Sequence, residues 1–323
     1  MKRFEYVYPK SVESIPKILT KGNGQALLYA GGTDVIARLK EGIDKPQQVI
    51  NLKAVKELDY IKEDGESYRI GATTRLVELI RHESLQKLSG LITAAKSIGS
   101  IQLRNMGTVG GNLCQRPRCW YFRSRHFPCL RKKGEICFAV DGENKYHCIL
   151  GGDPCFIVHP SDLAPVLITL DARVGILGPE GQKEVKLEDF FVLPATDPTR
   201  ETILSPQEIV TEVIIPHKQI KSYYLKHKER ESLDFALVSI AIAGKVNNGR
   251  LSNVRIALGG VAPIPWRAWK AEMVLEGQQA NGSLFEKAAD AELGDAFPLA
   301  QNEFKIYLTK NLLKRALGEF NSA

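Results

Sequence analysis

Neither a run of eighteen apolar residues nor an apolar stretch behind the charged start MKRFEYVYPK occurs in this sequence, so neither a membrane span nor an export signal is expected. No segment repeats. The spacings GxGxxG and GxxxxGK[ST] are also missing, and any bound nucleotide must therefore sit in a fold other than those two motifs serve. CxxC pairs, usual in structural zinc sites, do not occur either. Charge of one sign is not concentrated: 44 Lys and Arg are dispersed among 37 Asp and Glu, for a net charge of +7. A nucleic-acid partner is not expected from that pattern. What is present is 323 residues with 44% hydrophobic and 25% charged residues, enough for two or three domains with substantial cores.

The local patterns mix helix and strand. Ser11 is placed to cap a helix over VESIPKILT, with Pro16 shortening or kinking it, and the apolar ALLYA reads as a buried strand ending at Gly31-Gly32. From residue 68, YRIGATT predicts a strand, TRLVELIRHESL a helix, and SGLITAAKSIGSIQ a second helix running to a glycine turn at 110–111. PVLITLDARVGIL predicts strand, ended by Gly178, Pro179 and Gly181, and VLPATDPTRETILSPQE predicts an irregular connection. Beyond about 220, KSYYLKHKER, DFALVSIAIAGKV and RLSNVRIALGGV predict an antiparallel sheet, the last two joined by a tight hairpin at Asn247-Asn248-Gly249. WRAWKAEMVLEG, SLFEKAADAEL and NEFKIYLTKNLLKRALGEF predict helices covering one face of that sheet. A boundary is placed near residue 215.

Two features point to chemistry. In AGGTD (30–34) and TVGGN (108–112) the missing Cβ atoms let backbone N–H groups approach an anion, with Thr33, Thr108 and Asn112 as further donors. A pyrophosphate suits both, and so does an ordinary turn. The second feature is the cationic stretch that holds all six cysteines: Cys114, Cys119, Cys129, Cys137, Cys148 and Cys155. A disulfide framework belongs to small secreted domains, which leaves an iron–sulfur cluster, zinc, or unrelated buried thiols. His126, His147 and His159 lie nearby, each readable as a satisfied structural residue. Arg116, Arg118, Arg123, Arg125, Arg131, Lys132 and Lys133 read as a docking surface, as charges that raise a cluster potential, or as a solvated face.

AGGTDV, QLRNMGTVGGNL, HPSDLAPVL, LKHKERESLDFALVSIA and RIALGGVAPIPWR together resemble the FAD-binding subunit of the molybdenum hydroxylases, the xanthine dehydrogenase family, over nearly the whole chain. The resemblance implies an α+β fold: a two-part FAD-binding domain of the PCMH type over 1–215 with an iron–sulfur insertion at 114–155, then a C-terminal α+β domain over 216–323. It implies that FAD is held by Leu28, Tyr29, Ala30, Gly31, Gly32, Thr33, Asp34 and Val35 in the first turn and by Thr108, Val109, Gly110, Gly111 and Asn112 in the second. Asp162 and Lys226 match further flavin contacts, and Ile98 and Val210 apolar ones; read alone, Asp162 is a helix cap and Lys226 a solvated strand residue.

Cys119, Cys129, Cys137 and Cys155 resemble the ligands of an extra [4Fe–4S] cluster. Two branches of the family carry one: bacterial aldehyde oxidoreductase flavin subunits, favoured by QRPRCWYF and by Cys155 shortly before HPSD, and the β subunit of 4-hydroxybenzoyl-CoA reductase. Cys114 is then expected near the flavin loop as a small apolar residue, and Cys148 as a buried thiol in a strand-like YHCIL. The implied role is electron transfer, with no catalytic residue in this chain. Substrate oxidation is implied on a large molybdenum-cofactor subunit, with [2Fe–2S] clusters on a small one. A non-flavin iron–sulfur scaffold is the alternative outside the family. A cytoplasmic location is expected, or a periplasmic one by co-export with a signal-bearing partner.

Overall fold

The computed structural model describes residues 1–322. Three sheets organise the chain. The first is small and wholly parallel, in the order β1 (Glu5–Val7), β3 (Gln48–Asn51), β2 (Ala26–Tyr29). Its crossovers are α1 (Ser14–Lys21) and α2 (Val35–Glu41). Ser11 does not cap α1, because the helix starts three residues later; the Ser14 hydroxyl instead donates to the Ser11 carbonyl at 2.6 Å. Pro16 does not kink it either, since it falls in the first turn, where no intrahelical donor is required.

The second sheet has the order β4 (Ile61–Glu63), β5 (Ser67–Gly71), β8 (Ile209–Pro216), β6 (Arg173–Gly178), β7 (Gly181–Lys186), with antiparallel neighbours throughout. Between β5 and β6 the chain forms α3 (Leu76–Arg81), α4 (Ser89–Ser97), α5 (Ile101–Met106), α6 (Val109–Leu113), α7 (Trp120–Arg123) and α8 (Leu163–Thr169). The helix expected over SGLITAAKSIGSIQ is broken in two by Gly99, whose φ of +50° no helix accommodates. PVLITLDARVGIL is also two elements, not one strand. Every residue of α8 is buried, so its apolar run carries no helical stripe and cannot be told from a buried strand by periodicity.

The third sheet has the order β12 (Trp266–Arg267), β11 (Arg250–Gly259), β10 (Val238–Asn247), β9 (Lys221–His227) and is antiparallel. The hairpin at 247–249 forms as expected, with Asn248 and Gly249 at φ +48° and +75°. Ile240, Ile242, Ile256 and Leu258 face a core shared with α9 (Trp269–Leu275), α10 (Gly282–Leu293) and α11 (Phe304–Ser322). The opposite face is covered too: Tyr224, Ala241, Ala243 and Ala257 pack into the core that holds α4 and α8. Small residues there let the helices of the first part lie close on the sheet.

Candidate functional site

The two glycine turns meet. The first leaves β2 and enters α2; the second caps and opens α6. A Cβ on Gly31 would overlap the Met106 carbonyl at the end of α5, and one on Gly110 would stand 2.8 Å from the Ala72 Cβ. Both glycines are therefore needed so that the turns can press against the strand and against each other. Gly111 differs: within 4 Å its Cβ would meet only the Thr108 Oγ1, at 2.8 Å, and it faces open space. Thr108 is the N-cap of α6, its hydroxyl accepting from the Gly111 N–H at 3.2 Å, so that hydroxyl serves the helix as well as the turn.

The open space is a cavity of about 530 Å³. Of the residues expected to hold a cofactor, Leu28, Ala30, Gly31, Gly32, Thr33, Asp34, Val35, Ile98, Thr108, Gly110, Gly111, Asn112, Asp162 and Val210 line it. Tyr29, Val109 and Lys226 stand behind the wall: the Tyr29 ring sits against Gly32 and Tyr6, and Val109 is fully buried in the core. The Lys226 ammonium donates to the Asp162 carboxylate at 2.7 Å, both side chains being buried. Asp162 occupies the N-cap position of α8 without making a cap hydrogen bond. Its other oxygen accepts from the Tyr224 hydroxyl at 2.7 Å, and burial raises its pKa against the pull of Lys226. Ser161 makes the cap instead, accepting from the Ala164 N–H at 3.0 Å and donating to Asn112 Oδ1 at 2.5 Å.

Sequence reasoning missed Arg116, Arg118, Leu233 and Phe235 as lining residues. The two arginines belong to the cationic stretch, four of whose arginines turn inward to ion pairs instead of forming a plain solvated face. Arg118 and Arg123 pair with Asp34 at 2.9 and 2.6 Å, beside Arg38 at 3.4 Å, and the Arg116 N–H also donates to Asp34. These charges hold the Asp34 carboxyl below its usual range despite burial. Arg116 and Arg131 pair with Glu201 at 3.0 and 2.7 Å. Lys132 donates to the Tyr121 carbonyl at 2.8 Å, while Arg125 and Lys133 remain exposed.

Beside this network lies a second, small cavity. Cys119, Cys129, Cys137 and Cys155 all line it, with Tyr121, Phe122, Arg131, Phe138 and His147. Cys114 lies on the large cavity, and burial pushes its thiol up to about 12. Cys148 is fully buried outside the small cavity, and its backbone is not in a strand, contrary to the reading of YHCIL. All six cysteines are free. His126 is exposed. His159 is buried, and desolvation lowers its pKa to about 4. Among the described residues no three Cys, His, Asp or Glu side chains are gathered as a site for a single metal ion, and no helix is long and apolar enough to cross a membrane.

Residues 2–218 match the family model described as the FAD binding domain in molybdopterin dehydrogenase. The chain belongs to the molybdopterin dehydrogenase FAD-binding family. Residues 223–320 of this family member match the CO dehydrogenase flavoprotein C-terminal domain. The aldehyde oxidoreductase FAD-binding subunit PaoB of Escherichia coli (strain K12) is 36% identical to it, over 91% of each chain. The glyceraldehyde dehydrogenase medium chain of Sulfolobus acidocaldarius is 26% identical, over 96% of this chain and 94% of that one. Among solved structures, carbon monoxide dehydrogenase from Hydrogenophaga pseudoflava superposes with a TM-score of 0.79 at 28% identity, over 98% of this chain and 96% of that one. The α+β fold, an FAD-binding domain followed by an antiparallel sheet under helices, is that of the family.

Proposed function

We propose that this chain is the electron-transfer subunit of a molybdenum-dependent aldehyde oxidoreductase. In this reading it takes electrons from iron–sulfur centres and delivers them through FAD to an external acceptor. Its partners are a large molybdenum-cofactor subunit, where substrate is oxidised, and a small [2Fe–2S] subunit. The observation that carries the reading is the pairing of two cavities: a large one walled by glycine turns and, across the Asp34 and Glu201 ion pairs, a small one ringed by four thiols. The relatedness to an aldehyde oxidoreductase subunit supports the substrate class.

The large cavity, about 530 Å³, fits FAD, while the closed gap of about 10 Å³ among the thiols fits a cluster by the chemistry of its donors and not by its volume. The cradle at Gly111 has only the Thr108 hydroxyl near where a Cβ would project and otherwise faces the large cavity, leaving room for a phosphate. Four soft donors from separate stretches surround one space, and a four-iron cluster spreads its ligands more widely than one ion does. We assign FAD to the two turns with Ile98, Asp162 and Val210, and a [4Fe–4S] cluster to Cys119, Cys129, Cys137 and Cys155. Bound FAD exchanges electrons singly or in pairs and so joins one-electron clusters to a two-electron acceptor. The protein orients it by backbone N–H groups at the turns, and Lys226 keeps the buried Asp162 paired behind the wall. We also assign 1–215 and 216–323 as the two domains, since the second sheet ends at Pro216 and the third begins at Lys221.

The purified chain should show a flavin spectrum and release FAD into acid, with iron and sulfide present. It should not oxidise aldehydes alone, whereas the complex with its large subunit should. Aldehyde turnover by the single chain, or a complex active on purines but not aldehydes, would count against the assignment.

A further inference from the structure

One polar side chain in the wall of the small cavity has no role in binding flavin or iron. His147 is 3% exposed, and its Nε2 lies 3.3 Å from the Cys119 sulfur. Its backbone is fixed from both sides. The N–H donates to the Asn144 carbonyl at 2.9 Å; the carbonyl accepts from Lys305 Nζ at 3.0 Å and from Asn302 Nδ2 at 3.1 Å, both from the C-terminal region. The Trp120 ring, edge-on, and the Tyr121 ring, tilted by 36°, flank the imidazole with centroids 6.1 and 6.2 Å away. The other ring nitrogen, Nδ1, is buried with no partner.

We propose that His147 is a positioning residue for electron transfer, donating its Nε2–H to the Cys119 sulfur and thereby raising the reduction potential of the cluster held there. The inference rests on the assignment of the four thiols as cluster ligands. A thiolate bound to iron has no proton and can only accept, so the nitrogen facing it carries the hydrogen. A hydrogen bond to a ligand sulfur stabilises the reduced, more negative cluster more than the oxidised one. Arg131 also lines the cavity, 3.8 Å from the Cys155 sulfur, but its charge is balanced by Glu201. His147 acts through the one sulfur it touches.

The test is a redox titration of the intact complex, reading the cluster by electron paramagnetic resonance and the flavin by absorbance. In His147→Phe, where a flat ring fills the same slot without a donor, the ratio of reduced to oxidised cluster at a fixed potential should fall about tenfold. That corresponds to a midpoint lower by about 59 mV for a one-electron couple, with the flavin midpoint unmoved. His147→Gln, whose amide can donate, should recover part of the shift. An unchanged cluster midpoint in His147→Phe with iron retained would overturn the proposal. If that variant loses iron, wild-type protein labelled with ¹⁵N-histidine decides: a histidine nitrogen coupled to the reduced cluster supports the contact, and no coupling refutes it. Iron and sulfide content of the wild type separates the two levels of failure. Their absence overturns the cluster assignment and this inference together, whereas their presence with an unmoved midpoint overturns only the role of His147.

Discussion

A single added carbon decides whether the glycine turns can do what their shape suggests. In Gly111→Val the branched side chain would stand in the cavity, because nothing but the Thr108 hydroxyl lies near the position of its Cβ. Loss of a charged hydrogen bond at that point costs about 1.5–3 kcal/mol, roughly a ten- to hundredfold weaker hold on FAD. We expect a folded protein with little flavin, measured as flavin released per chain; full flavin content would place the cofactor elsewhere. The thiols divide in the same way. Serine at Cys119, Cys129, Cys137 or Cys155 should strip most of the iron and the paramagnetic signal of the reduced cluster, since these four share one cavity. Serine at Cys114 or Cys148 should leave both intact. Iron lost in Cys148→Ser but kept in Cys155→Ser would mean that another four are the ligands. The glycines could be picked out in the sequence because only a missing Cβ permits such close approach. Arg116 and Arg118 could not, because their partners Glu201 and Asp34 lie more than eighty residues away and no local pattern records that pairing.

At the level of elements, the legible parts were those with a chemical signature at a fixed offset. The β10–β11 hairpin announced itself by residues that tolerate positive φ, whereas α8, buried all round, left no periodicity to read. α8 and α6 are joined by a contact with its own pH dependence. His159 Nε2 faces the Leu113 carbonyl at the end of α6 at 3.3 Å, and its Nδ1 accepts from the Ser161 N–H at 3.4 Å just before α8. This arrangement requires the neutral ring, and desolvation lowers its pKa from 6.5 to about 4. The stability it contributes is complete above pH 6.5, where the unfolded chain is also neutral. It is lost as pH falls from there towards 4, because only the unfolded state takes up the proton. At about 1.4 kcal/mol per pH unit the loss reaches about 3 kcal/mol. Urea unfolding at pH 7 and pH 4.5 should therefore show a smaller decline in His159→Gln than in the wild type; equal declines would assign the acid sensitivity to other groups.

Across the whole molecule, the cofactor turn and the cysteine stretch are one electrostatic unit. Asp34, in the first glycine turn, is the shared counter-ion of Arg38 beside it and of Arg118 and Arg123 from the cysteine stretch. Glu201, from the irregular connection, ties Arg116 on the large cavity to Arg131 at the thiols. Most of these side chains are withdrawn from water, so removing the Asp34 carboxylate leaves Arg118 and Arg123 without a counter-ion, while Arg38 keeps Asp44 at 3.0 Å. Breaking a buried pair in this way costs about 3–5 kcal/mol. Asp34→Asn removes the charge while leaving the shape, and we expect it to lower the unfolding midpoint and to release flavin and iron together. In the wild type the two releases should coincide along a denaturant titration followed by flavin fluorescence and cluster absorbance, since Glu201 in the wall of the large cavity is paired with Arg131 in the wall of the small one. Asp34→Asn should move both to lower denaturant by the same amount. Flavin released well before iron, with the iron midpoint unchanged by the substitution, would mean that the cysteine stretch folds independently of the turn it embraces.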